Sequence, residues 1–201
     1  MSNTTEHGNR WTVSTMTRIA ILTALASILF LLEIPVVAFY RLDLSNLPVL
    51  LGAFSMGTVP GLVILLLKSA IGLLHSNSAG VGELADFIMG AMLVIPASLI
   101  YHRNKNRKSA ILGMAVGTVC MTVVGVLVNK FIMIPFYMGA FHMDMAGILA
   151  FADIGAVDSE WKLLLMVTAP FNLLKGVVLS VVTALIYKPL SPLLHGKRLR
   201  G

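Results

Sequence analysis

Charge is scarce in this sequence. Of 201 residues only 12% are Asp, Glu, Lys or Arg, while 57% are hydrophobic and the mean hydropathy is +0.89. Soluble domains devote about a quarter of their residues to charge, so a water-exposed globular chain of this length is excluded. Cysteine is scarcer still. Cys120 stands alone, which rules out an intramolecular disulfide and a cysteine-based metal cluster. Also missing are a glycine-rich loop ending in GKS or GKT, an HExxH pair and a GxSxG nucleophile elbow. The chain is therefore not expected to hydrolyse ATP, to hold a metal or cofactor, or to act as an enzyme.

What is present is a series of apolar runs long enough to cross a bilayer, about 17–25 residues each. They predict an all-α membrane protein with spans at about residues 17–37, 44–56, 61–75, 82–101, 110–136 and 163–187. The second is short and interrupted by Pro48, which suits a segment enclosed by protein rather than lipid. Pro35 is expected to end or kink the first. The first run has no small-residue cleavage site at a suitable distance, so it reads as a retained span rather than a signal peptide. No internal repeat is visible, and residues 1–201 are read as one domain, with 1–10 as a flexible cytoplasmic start.

The net charge of +6 is distributed by topology and is not a nucleic-acid footprint. Arg10 and Arg18 precede or open the first span. Arg103, Lys105, Arg107 and Lys108 crowd one short loop, and Lys188, Lys197, Arg198 and Arg200 form the tail. The stretch from about 137 to 161 carries Asp144, Asp153, Asp158 and Glu160 and no Lys or Arg. Positive loops remain in the cytoplasm, so both termini are expected inside, the acidic stretch outside, and the number of spans even.

The polar groups inside the spans are few and informative. In Ala169-Pro170-Phe171-Asn172-Leu173-Leu174-Lys175-Gly176, Asn172 and Lys175 share a helix face. Burying the Lys costs about 2.5–3.5 kcal/mol even on the insertion scale. Counting about 1.5 Å per residue, both lie roughly 14–18 Å deep, and Asn129 roughly 10 Å below the outer end of its span. Glu83 and Asp86 open the fourth span from outside. All five can converge on a site reached from the exterior. Each also has a plainer role: Asn172 as a bond to a neighbouring helix, Lys175 as an ion pair with Glu83 or Asp86, and Asp86 as a carboxylate at a helix N-terminus. Asn129 is expected to face inward and Lys130 to snorkel outward. Lys68 reads as a lock to a carboxylate or a contact to a partner. Phe136 and Tyr137 are either interfacial anchors or a cover for a flat ligand.

Several runs together resemble one family. They are Asp43-Leu44-Ser45-Asn46-Leu47-Pro48, Gly52-Ala53-Phe54, Gly80-Val81-Gly82-Glu83-Leu84-Ala85-Asp86-Phe87, Asn129-Lys130-Phe131 with Pro135-Phe136-Tyr137, and Ala169 to Gly176. The family is RibU, the riboflavin-binding S components of energy-coupling factor (ECF) transporters, and the similarity covers nearly the whole chain. It implies six transmembrane helices, cytoplasmic termini, a prokaryotic cell membrane and an outward vitamin site. It also implies a transmembrane coupling protein (EcfT) and two cytoplasmic ATPases (EcfA and EcfA') as partners. By motif, Asn129, Asn172 and Lys175 resemble flavin-contacting positions, and Leu44 and the Glu83 region resemble segments near the ligand. Ala20 and Ala24 resemble the AxxxA surface that docks the coupling protein; small residues four apart let helices approach closely. The acidic stretch is longer than the family pattern and is a candidate lid.

Flavin suits these groups. Its pyrimidine edge offers carbonyl acceptors and one N–H donor, which an Asn amide can serve both ways, and Lys donates to a carbonyl or ribityl oxygen. Riboflavin is the expected ligand, with FMN as a further candidate. The alternatives are an S component for another vitamin and a self-sufficient gradient-driven carrier. Thiamin, a cation, is disfavoured by the Lys.

Overall fold

The computed structural model describes residues 12–37, 40–76, 78–152, 155 and 157–194. The predicted flexible start with Arg10, and Asp153, Lys197, Arg198 and Arg200, lie outside the described residues, as does the side chain of Lys188.

Helix α1 (Val13–Leu31) is capped by Thr12, whose hydroxyl accepts from the Thr15 amide. It stops six residues short of the sequence expectation. Residues 34–37 instead form β1 (Ile34–Val37), paired antiparallel with β2 (Tyr40–Leu42). Pro35 sits in β1, where its fixed φ and missing N–H are tolerated at a two-stranded edge. The expected all-helical chain therefore carries one small hairpin.

After the hairpin, residues 43–45 lead into α2 (Asn46–Met56), only 11 residues long. Pro48 falls in its first turn, where no intrahelical donor is lost, so it starts the helix rather than interrupting it. Every residue from Asn46 to Phe54 is buried. A helix apolar all round belongs inside a bundle, and α2 indeed packs against α1 and against the helices at Thr58–Gly72, Val81–Asn104 and Ala169–Leu194. Gly57, at φ 113°, turns the chain into α3 (Thr58–Gly72), which a single 3-10 turn extends to His75.

Helix α4 (Val81–Asn104) packs along α5 (Arg107–Val128). The approach is close because Gly113 and Gly117 lie against the backbone of Ala97 and Leu93, where a Cβ would fall 2.6 and 2.3 Å from a carbonyl oxygen. The α5 helix runs on through a π-helical turn (Asn129–Met133) into α6 (Ile134–Ala140). The acidic stretch contains α7 (Met145–Ala152). The last helical stretch begins as α8 (Glu160–Lys162), widens into a second π segment (Leu163–Thr168) and continues as α9 (Ala169–Leu194).

Both π segments stand just before a proline, Pro135 and Pro170. Each proline lacks the N–H that would close an ordinary turn, and widened turns of this kind gather at functional sites. The two segments touch each other. Among the described residues, five helical stretches are long and apolar enough to cross a membrane, at 13–31, 58–75, 81–104, 107–140 and 160–187, with α2 as a sixth, shorter apolar helix. Outward-facing Ile21, Leu25, Leu66, Leu112, Val123, Leu165, Leu173 and Leu174 are exposed, as a lipid-facing surface requires.

The bundle has two unlike ends. One holds the α2–α3 turn and the α4–α5 turn with Arg103, Lys105, Arg107 and Lys108. The other gathers the hairpin, the 73–80 loop, and the α6 to α8 region.

Candidate functional site

A cavity of about 750 Å³ occupies the end away from the basic turn. Its wall is contributed by the end of α1, the hairpin, the start of α4, both π-segment neighbourhoods and the α6–α7 region. That volume lies within the range of small-molecule sites, about 300–1,000 Å³.

Asn172 and Lys175 both face it, 2% and 6% exposed, while Leu173 and Leu174 between them point outward. The i,i+3 spacing thus gives a shared inner face. Asn172 donates one amide hydrogen to the Thr168 carbonyl at 3.0 Å, which fixes the plane of its side chain. Its Oδ1 has no partner among the described residues. Space for it exists because residue 125 is glycine: a Cβ there would sit 2.6 Å from Asn172 Nδ2.

Asn129 behaves in parallel. It donates to the Gly125 carbonyl at 2.8 Å and accepts at Oδ1 from the Tyr40 hydroxyl at 3.2 Å. Tyr40 also hydrogen-bonds Thr168. Burial pushes the Tyr40 phenol up to about 12, so it remains a neutral donor at physiological pH. Lys130 turns away and sets its ammonium 3.6 Å from the Trp161 ring centroid.

Lys175 donates to Asp43 Oδ2 at 2.7 Å and to Asp86 Oδ1 at 3.4 Å. The other oxygen of Asp86 accepts from Lys68 at 2.6 Å, and Lys68 also donates to Ser45 Oγ and Asn46 Oδ1 at 2.8 and 3.0 Å. Asp43 accepts from the Ser45 amide at 2.9 Å and from the Ser45 hydroxyl. Burial raises the Asp43 carboxyl, and the charges of Lys175 and Lys68 outweigh that effect, holding it at about 2. Two ammonium groups thus meet two carboxylates, and the cluster is neutral as a whole.

Glu83 lines the cavity and accepts from the Ser76 and Ser78 hydroxyls at 2.7 and 3.3 Å. Met89, Met133, Tyr137, Phe141, Ile148 and Phe171 give the wall an apolar and aromatic part, and Glu33, Arg41 and His75 also line it. Tyr137 stacks on Phe141 with centroids 5.5 Å apart.

The cavity therefore gathers Asn129, Asn172, Lys175 and Glu83. It does not gather Leu44, which is half-buried against the apolar core, or Phe136, which touches Tyr137 and Phe141 from outside the lining. Ala20 and Ala24 lie on the exposed face of α1 and outside the cavity lining, to which α1 contributes Phe30 and Leu31. Sequence reasoning passed over Asp43, Tyr40 and Thr168. No local signal singles out Asp43, since Glu83 and Asp86 already offer two carboxylates for the two buried lysines.

The family model for the ECF transporter, substrate-specific component, matches residues 14–187. Among curated proteins, riboflavin transporter RibU of Staphylococcus aureus (strain TCH60) is 32% identical over 177 residues, covering 86% of this chain and 88% of its own. RibU of Streptococcus thermophilus is 31% identical over 182 residues, covering 88% and 82%. Riboflavin transporter FmnP of Bacillus subtilis (strain 168) is 25% identical over 187 residues, covering 90% and 93%. A solved S component of a bacterial ECF transporter superposes with a TM-score of 0.71 at 29% identity, covering 92% of this chain and 98% of that one.

Proposed function

The chain belongs to the substrate-specific components of ECF transporters, and from that premise we propose that it captures riboflavin from outside the cell for an ATP-driven importer. It is a multi-pass protein of the prokaryotic plasma membrane and not an enzyme. The relatives that support the substrate are named riboflavin transporters. The observation that carries the reading is the cavity in which Asn129, Asn172 and Lys175 converge beneath an aromatic wall, at the end opposite the basic turn.

In this reading the whole chain is one six-crossing domain. Helix α2 is the sixth crossing, short because its neighbours rather than lipid surround it. Positive charge places both termini and the α4–α5 turn in the cytoplasm, so the cavity opens outward. The Asn172 amide offers a donor and an acceptor to the pyrimidine edge, Lys175 donates to a flavin oxygen, and the aromatic and Met side chains bury the ring faces. Ala20 and Ala24 supply the flat face of α1 on which the coupling protein (EcfT) docks, and the ATPases (EcfA and EcfA') supply the energy.

The test is direct. Protein purified in detergent should be yellow and should release stoichiometric riboflavin on denaturation. A colourless preparation that also fails to quench added riboflavin fluorescence would end the flavin assignment.

A further inference from the structure

Seven charged side chains line the cavity or stand directly behind it, and six of them are paired. Arg41 pairs with Glu33 at the mouth, and Lys175, Asp43, Asp86 and Lys68 form the neutral cluster within. The seventh is Glu83. It is 7% exposed, its Oε2 accepts from two serine hydroxyls, and it has no ion pair among the described residues. Its Oε1 has no described partner at all. Glu83 stands in the first turn of α4, which Gly80 caps. His75 is the remaining titratable group on that rim. Among the described residues, Glu83 is thus the one carboxylate of the cavity that no ion pair holds.

We propose that Glu83 is the specificity-determining residue that selects an uncharged polyhydroxylated flavin over its phosphorylated form. This rests on the riboflavin reading above. A carboxylate only accepts hydrogen bonds, so it matches the hydroxyls of a ribityl chain and repels a phosphate. Arg41 at the mouth is paired through Nη1 with Glu33, which offsets its charge there.

The experiment is a pair of fluorescence-quenching titrations, riboflavin and FMN, on the native protein, Glu83→Gln and Glu83→Asp. The native protein should prefer riboflavin. Glu83→Gln should raise FMN affinity about tenfold, equivalent to about 1.4 kcal/mol, with a smaller change for riboflavin. Glu83→Asp should keep the preference. Raising salt from about 0.05 to 0.5 M on the native protein should strengthen FMN binding and leave riboflavin unchanged, a readout that needs no variant. Equal native affinities, or a ratio unmoved by both Glu83→Gln and salt, would overturn the role of Glu83 while leaving riboflavin capture intact. A native protein that binds neither flavin would overturn both.

Discussion

Asp43 and Lys175, 132 positions apart, are joined by a 2.7 Å ion pair inside the bundle. The pair ties the linker that follows the hairpin to α9, and so closes the cavity floor from two distant parts of the chain. Removing one partner of a buried pair leaves an uncompensated charge, at a cost of about 3–5 kcal/mol. Asp43→Ala should therefore lower the unfolding temperature in detergent and weaken riboflavin binding together. Asp43→Leu combined with Lys175→Met should be more stable than the sum of the single losses, because no orphan charge remains. Additive losses would mean that the two side chains do not act as a pair.

Lys68 is fully buried and lies outside the cavity lining, yet it holds Ser45, Asn46 and Asp86 at once. Lys68→Met should destabilise the protein by about 3–5 kcal/mol. Adding Asp86→Asn should recover part of that loss. A Lys68→Met protein with native thermal stability would remove the lysine from the framework.

How much of this was readable in the sequence depends on whether the signal was local. The apolar runs and the i,i+3 pair Asn172 and Lys175 follow from helical periodicity, and the structure places both side chains on one inner face. The inward Asn129 and outward Lys130 follow from the roughly 100° between neighbours. The hairpin was missed because Ile34-Pro35-Val36-Val37 continues the apolar run, and only its pairing with Tyr40–Leu42 distinguishes strand from span. The π turns are invisible to any 3.6-residue pattern. The Asp43–Lys175 contact is a tertiary fact, so the lysine was legible and its partner was not. Nor does a local pattern choose between Phe136 and Tyr137: it is Tyr137 that takes the cavity side.

Gly125 tests whether Asn172 is needed where it stands. A methyl group at this position would fall 2.6 Å from Asn172 Nδ2 and 3.1 Å from Met89 Sδ. Gly125→Ala should therefore displace the amide without altering its chemistry. Asn172→Ala should weaken riboflavin binding by about 1–3 kcal/mol, and Gly125→Ala should produce a loss of the same order. In the double variant the losses should not add, since the amide is already gone. Native affinity in both single variants would take Asn172 out of the proposed site.

Ala20 and Ala24 make the opposite prediction, since they stand on the outer face of α1 and line no part of the cavity. Small residues four apart permit close helix approach, and bulk there should block a partner without touching the ligand. Ala20→Leu with Ala24→Leu should bind riboflavin as the native protein does in quenching titrations. Co-purification with the coupling protein, and uptake by cells that depend on this importer, should both fall. Retained uptake would mean that α1 meets only lipid at these positions, and that the partner docks elsewhere on the bundle.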